Sequence, residues 1–98
     1  MTKPTIHLNG TSPESLLEGY RNAMEAVSEA ITKLTETSPN GRDYYPAGPE
    51  AYQAAVKEYM GRQLKLRIVH DELTELAIHC NDIIAEREAR KAERNKTP

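Results

Sequence analysis

Two helix-forming stretches of very unequal length dominate this chain. The first reads from about Pro13 to Ser38, and the second from Pro49 towards Arg94 with no proline inside it. At about 1.5 Å per residue they span roughly 39 and 69 Å. A hairpin with unequal arms leaves the end of the longer arm uncovered. That end is apolar, with Leu73, Leu76, Cys80, Ile83 and Ile84. The expectation is that another copy of the chain covers it, which makes these five residues the expected oligomer interface.

The expected architecture is therefore all-α. An antiparallel helical hairpin with a longer second helix assembles into a dimer or a larger symmetric bundle. Residues 1–11 read as an extended arm, 12–92 as the hairpin domain with helices at about 13–38 and 49–92, and 93–98 as a disordered tail. Within the arm, Thr5-Ile6-His7-Leu8 alternates in the strand sense and ends on the turn signal Asn9-Gly10. Ile6 and Leu8 would then face the same way and clip onto a neighbouring copy.

The first helix has a clear start. Ser12 can cap it, Pro13 suits a first helical position because its missing N–H has no partner there, and Glu14 suits the positive end of the dipole. Leu17, Tyr20, Met24, Val27, Ile31 and Leu34 follow at alternating steps of three and four, a narrow stripe suited to helix packing. Pro39 and Asn40-Gly41 end this helix, and Gly48-Pro49 opens the next. On the second helix the apolar positions are Tyr52, Val56, Tyr59, Leu66, Val69, Leu73, Leu76, Cys80 and Ile83. Gly61 lies inside it at a cost of about 1 kcal/mol relative to Ala. It marks either a kink, which would give three helices (13–38, 49–60 and 62–92), or a close approach of another backbone.

Composition narrows the function classes. A 38% hydrophobic content without Trp or Phe is thin for a monomeric core and ordinary for a core shared between subunits. A net charge of −2 creates no field that recruits DNA or anionic lipid. The basic tail residues Arg87, Arg90, Lys91, Arg94 and Lys96 alternate with Glu86, Glu88 and Glu93, a solvated pattern that argues against nucleic-acid binding. The single cysteine excludes an intrachain disulfide and suits a reducing compartment. No apolar run reaches the length of a membrane span, and no signal-peptide core opens the chain, so the expected location is the cytoplasm.

Chemistry-bearing patterns are sparse. Cys80 has His79 beside it, but neighbours on a helix point about 100° apart and cannot share a proton. Glu72, Glu75, His79, Asp82 and Glu86 recur at three and four and read as a solvated acidic stripe; Glu75 and His79 have ligand spacing, yet the residue three before His79 is Leu76, so the Glu-x-x-His motif of di-metal bundles is not formed. Neither an enzyme, a metal nor a cofactor is expected. The strongest binding set is cationic and aromatic. Arg42, Tyr44 and Tyr45 in the linker offer a guanidinium for phosphate and rings for base stacking, and Arg62, Lys65 and Arg67 add charge along the second helix. Oligomerisation would repeat these groups around a symmetry axis and build a pocket for a small anionic, nucleotide-like ligand.

Three segments carry a resemblance: Thr5-Ile6-His7-Leu8-Asn9-Gly10, Asn40-Gly41-Arg42-Asp43-Tyr44-Tyr45-Pro46 and Ile78-His79-Cys80-x-Asp82. Together they look like small helical proteins encoded by phages and prophages, which implies work in the cytoplasm of a host cell. In architecture alone, a short oligomeric helical protein also resembles phage anti-defence sponges, which sequester the nucleotide immune signals of the CBASS and Thoeris systems. The resemblance implies a non-enzymatic binding protein capturing a cyclic-nucleotide-like signal between subunits, without assigning a ligand contact to any residue. The other reading is an oligomeric adaptor or assembly protein that docks on a host or phage protein through its second helix.

Overall fold

The computed structural model describes residues 1–96, and among them all regular structure is helical. Helix α1 spans Pro13–Leu34, helix α2 spans Pro49–Lys96, and three short 3-10 turns lie between them at Thr35–Thr37, Gly41–Asp43 and Tyr45–Ala47. The chain forms two compact units. One joins Met1–Met24 to the chain from Asp71 onward, and the other is Glu25–His70. None of the described helices is long and apolar enough to cross a membrane.

The start of α1 is built as its sequence dictates. Ser12 Oγ accepts a hydrogen bond from the Ser15 N–H at 3.1 Å, and the Ser12 carbonyl accepts from the Leu16 N–H at 3.1 Å. Its end lies earlier than the expected Ser38. The α-helix stops at Leu34 and tightens into the Thr35–Thr37 turn, where hydroxyls compete for the helix's last carbonyls. Thr35 Oγ1 donates to the Thr32 carbonyl at 2.6 Å and Thr37 Oγ1 to the Leu34 carbonyl at 2.8 Å.

Helix α2 is entered from Gly48, whose φ of +96° lies in the region that favours glycine and whose carbonyl accepts a hydrogen bond from the Ala51 N–H at 3.2 Å. It then runs unbroken through Gly61, so the three-helix alternative does not occur. A Cβ added at Gly61 would meet nothing within 4 Å, so no backbone of this chain approaches it. The helix also continues through Lys96, so residues 93–96 are helical rather than a disordered tail; Thr97 and Pro98 lie outside the described residues.

In the first unit the start of α1 lies along the later part of α2. Leu17, Ala77 and Cys80 form a buried cluster, with Leu16, Tyr20, Met24 and Ile84 packed around it. As the chain advances from Pro4 to Met24, its neighbours on α2 retreat from Arg90 to Thr74, so the pairing is antiparallel. Burying Leu17 contributes roughly 1.5–3 kcal/mol. The arm forms no strand. It crosses α2 irregularly, held where His79 Nε2 meets the Pro4 carbonyl at 2.9 Å, and turns where the Gly10 N–H donates to the His7 carbonyl at 3.1 Å. Ile6 is half-buried whereas Leu8 is 98% exposed, because an irregular arm does not hold alternate side chains to one face.

This packing covers part of the apolar end that the unequal arms were expected to leave open. Cys80 has 0% exposure, while Leu73, Leu76, Ile83 and Ile84 are half-buried. Residues of α1 pack against Cys80 and Ile84, and the arm borders Ile83. The expected positions Leu73, Leu76, Cys80 and Ile83 are all buried or half-buried, and Ala77 joins them in the core. The most deeply buried of these positions are Ala77 and Cys80.

In the second unit, α1 from Glu25, the linker and α2 up to His70 pack together. Val27, Ile31 and Leu34 are half-buried on α1, and Ala55 and Tyr59 are buried on α2. The Tyr59 hydroxyl accepts a hydrogen bond from Gln63 Nε2 at 3.0 Å, which satisfies the polar end of a buried ring. The buried line continues through half-buried Leu66 and His70, whereas Val69 is exposed. Replacing Leu17 with Ala removes the centre of the first unit's core. It should lower unfolding stability by about 2–4 kcal/mol in urea titrations; a change below about 1 kcal/mol would show that this cluster does not hold the unit.

Candidate functional site

The linker is shaped by Asn40. Its Oδ1 accepts from the Arg42 N–H at 3.0 Å, which caps the Gly41–Asp43 turn, and from Arg42 Nε at 3.3 Å. One edge of the Arg42 guanidinium is thereby tied to its own turn. The Tyr44 ring is half-buried and lies with its centroid 6.4 Å from that of Tyr52, tilted by 45°. That geometry makes it a packing residue fastening the linker to the first turn of α2. Tyr45 is 76% exposed, the one linker ring fully available for stacking.

The three cations of α2 do not join this group. Arg62 follows Tyr52 by ten residues, about 15 Å along the helix axis. Arg62 and Lys65 lie about 60° apart around the helix, but Arg67 is about 140° from Arg62 and about 160° from Lys65. The six residues expected to converge on an anion thus occupy three places: the linker, one side of α2 and the opposite side. Helical geometry alone prevents a single chain from gathering them.

Arg67 belongs to a different feature. Together with Met60, Gly61, Gln63 and Leu64 it lines an open groove of about 350 Å³ on α2. Met60 is 62% exposed, Leu64 59% and Ile68 47%, and the steps of four between them set all three along one side of the helix. Gly61 leaves a notch in that side, since no atom occupies the space where a Cβ would reach. Sequence reading missed this stripe because it followed the three-and-four line of the buried residues. The signal was present as Met60-x3-Leu64-x3-Ile68, a second apolar line that the helix's own core does not use.

His79 and Cys80 part company as their spacing requires. His79 faces the arm and Cys80 faces the core, so the pair forms no nucleophile and base. Burial of Cys80 raises its thiol pKa by desolvating the thiolate. Among the described residues no group of three or more His, Cys, Asp or Glu is arranged to hold a metal ion.

A raised folded-state thiol pKa means that the folded chain keeps its proton where the unfolded chain has begun to lose it. The stabilisation is fully present below the unfolded value of about 8.5 and is lost as pH rises above it. Stability measured against pH should therefore fall more steeply above about 8.5 in the parent than in Cys80→Ala. Parallel curves would show that the thiol is not desolvated. Disulfide exchange with a chromogenic reagent should likewise be slow in buffer and fast in denaturant.

No protein-family model, curated protein or solved structure matches this chain.

Proposed function

We propose that this chain is a non-enzymatic assembly protein whose working surface is the open side of α2 from Met60 to Ile68, engaged first by a second copy of itself. The observation that carries this reading is the unshielded line Met60, Leu64 and Ile68 beside the Gly61 notch. Large apolar side chains aligned in water favour a partner, because each gains free energy on leaving it.

The side is also self-complementary. In an antiparallel pair related by a two-fold axis at Leu64, residues equally distant from Leu64 meet. Met60 then faces Ile68 of the copy, and Gly61 faces Arg67. The notch accepts the aliphatic stem of Arg67 while its guanidinium reaches water at the rim. Such a pair would expose two copies of the linker and of α2's cationic side on its outer surface, where a larger protein could dock. The expected result in light scattering is a mass above 11.0 kDa that rises from micromolar to hundreds of micromolar concentration. Leu64→Glu should return the chain to a monomer without altering its helical content. A monomer at every concentration would overturn the reading.

Nucleotide capture is the second reading. It is favoured by one observation: Arg42, braced on Asn40, shares a short turn-rich linker with the open ring of Tyr45. Calorimetric titration with cyclic dinucleotides, cyclic trinucleotides and cyclic ADP-ribose isomers tests it. Heat with any of them that disappears in Arg42→Gln supports the idea, and no heat with the oligomer intact removes it.

A further inference from the structure

The arm creates a second cleft, in the first unit and independent of the α2 groove. Where it crosses α2, Pro4 and Ile6 line one side and Ile83 part of the other side of a shallow, open cleft of about 330 Å³. Arg87 and Arg90 line the same cleft one turn apart on α2. Among the described residues neither guanidinium has a carboxylate within 4.0 Å, although glutamates lie close to both in sequence. Arg87 also borders a second recess, which Ile6, Leu8 and Pro13 line. The wall is fixed in place, since His79 Nε2 is already engaged by the Pro4 carbonyl at 2.9 Å.

We infer that this cleft binds a small organic anion, a monocarboxylate carrying a compact apolar body. Two guanidiniums supply planar donor sets that match a carboxylate. The isoleucines and Pro4 take the apolar part, and the volume lies at the lower end of small-molecule sites. Glu86 lines the cleft as well. Its carboxylate offsets one of the two positive charges, which selects a single negative charge over a phosphate dianion and strongly disfavours polyanions. The arm supplies backbone and apolar contact that α2 alone lacks, and because the wall is already in place the cleft is formed before any ligand arrives.

The test uses the full chain and phenylacetate as probe, with phenylacetamide as its neutral counterpart and phenyl phosphate as the more highly charged one. Binding is followed by NMR shifts of the Arg87 and Arg90 side-chain Nε–H groups and of the Ile6 and Ile83 methyls. Phenylacetate should bind at least tenfold more tightly than phenylacetamide and more tightly than phenyl phosphate, moving all four residues. Arg87→Gln with Arg90→Gln should weaken it at least tenfold while leaving the helical spectrum intact, since both side chains are exposed. Glu86→Gln should shift the preference towards phenyl phosphate. Equal binding of the amide, unchanged binding by the double variant, shifts confined to other residues, or no binding of phenylacetate at tens of millimolar would each overturn the inference. A chain kept monomeric by Leu64→Glu should still bind, which separates this cleft from the self-association surface.

Discussion

The closure of α1 over α2 around Cys80 is the contact from which the rest of the arrangement follows. Leu17 and its neighbours exclude water from Cys80 and Ala77, two side chains small enough to let the helices approach closely. Because the chain reverses direction between them, its earliest residues are delivered to the latest part of α2. The arm then finds a hydrogen-bond donor in His79 and an apolar seat at Ile83. The apolar stretch around Cys80 is thus partly covered from within, with Cys80 buried and Leu73, Leu76, Ile83 and Ile84 left half-buried.

Apolar surface left open lies instead in the middle of α2. A 48-residue helix presents every direction to its surroundings, while one neighbouring helix can cover only one side. The residues on the covered side are Ala55, Tyr59, Leu66 and His70 in the second unit. Met60, Leu64 and Ile68 fall on another side and stay in water. Gly61 does not interrupt the helix, since a loss of about 1 kcal/mol at one position is small beside the hydrogen bonds on both sides of it. Its effect is local: it thins the wall where the open line of side chains would meet a partner.

Charge is distributed with the same consequence. Cations on α2 point in different directions according to their spacing, so proximity in sequence at Arg62, Lys65 and Arg67 separates them in space. In the last part of the helix, the step of three from Arg87 to Arg90 keeps both on the side the arm crosses, where neither is neutralised by a paired carboxylate. A basic segment that looks evenly balanced by glutamates along the chain therefore carries a local excess of positive charge at one place.

Helix content, the capped start at Ser12-Pro13, the glycine entry to α2 and the divorce of His79 from Cys80 were all legible in the residues themselves. Each depends on backbone preferences or on angles fixed within a single helix. The early stop at Leu34 was less legible, because it rests on threonine hydroxyls competing for helical carbonyls. What only the tertiary structure decided was which apolar line is covered and by what. Two lines with similar spacing, one through Cys80 and one through Met60, Leu64 and Ile68, are equally good helix faces on paper. Burial is settled by the path of the chain outside the helix: in the first unit α1 covers the line through Cys80, and in the second the line through Tyr59 is buried while Met60, Leu64 and Ile68 stay open.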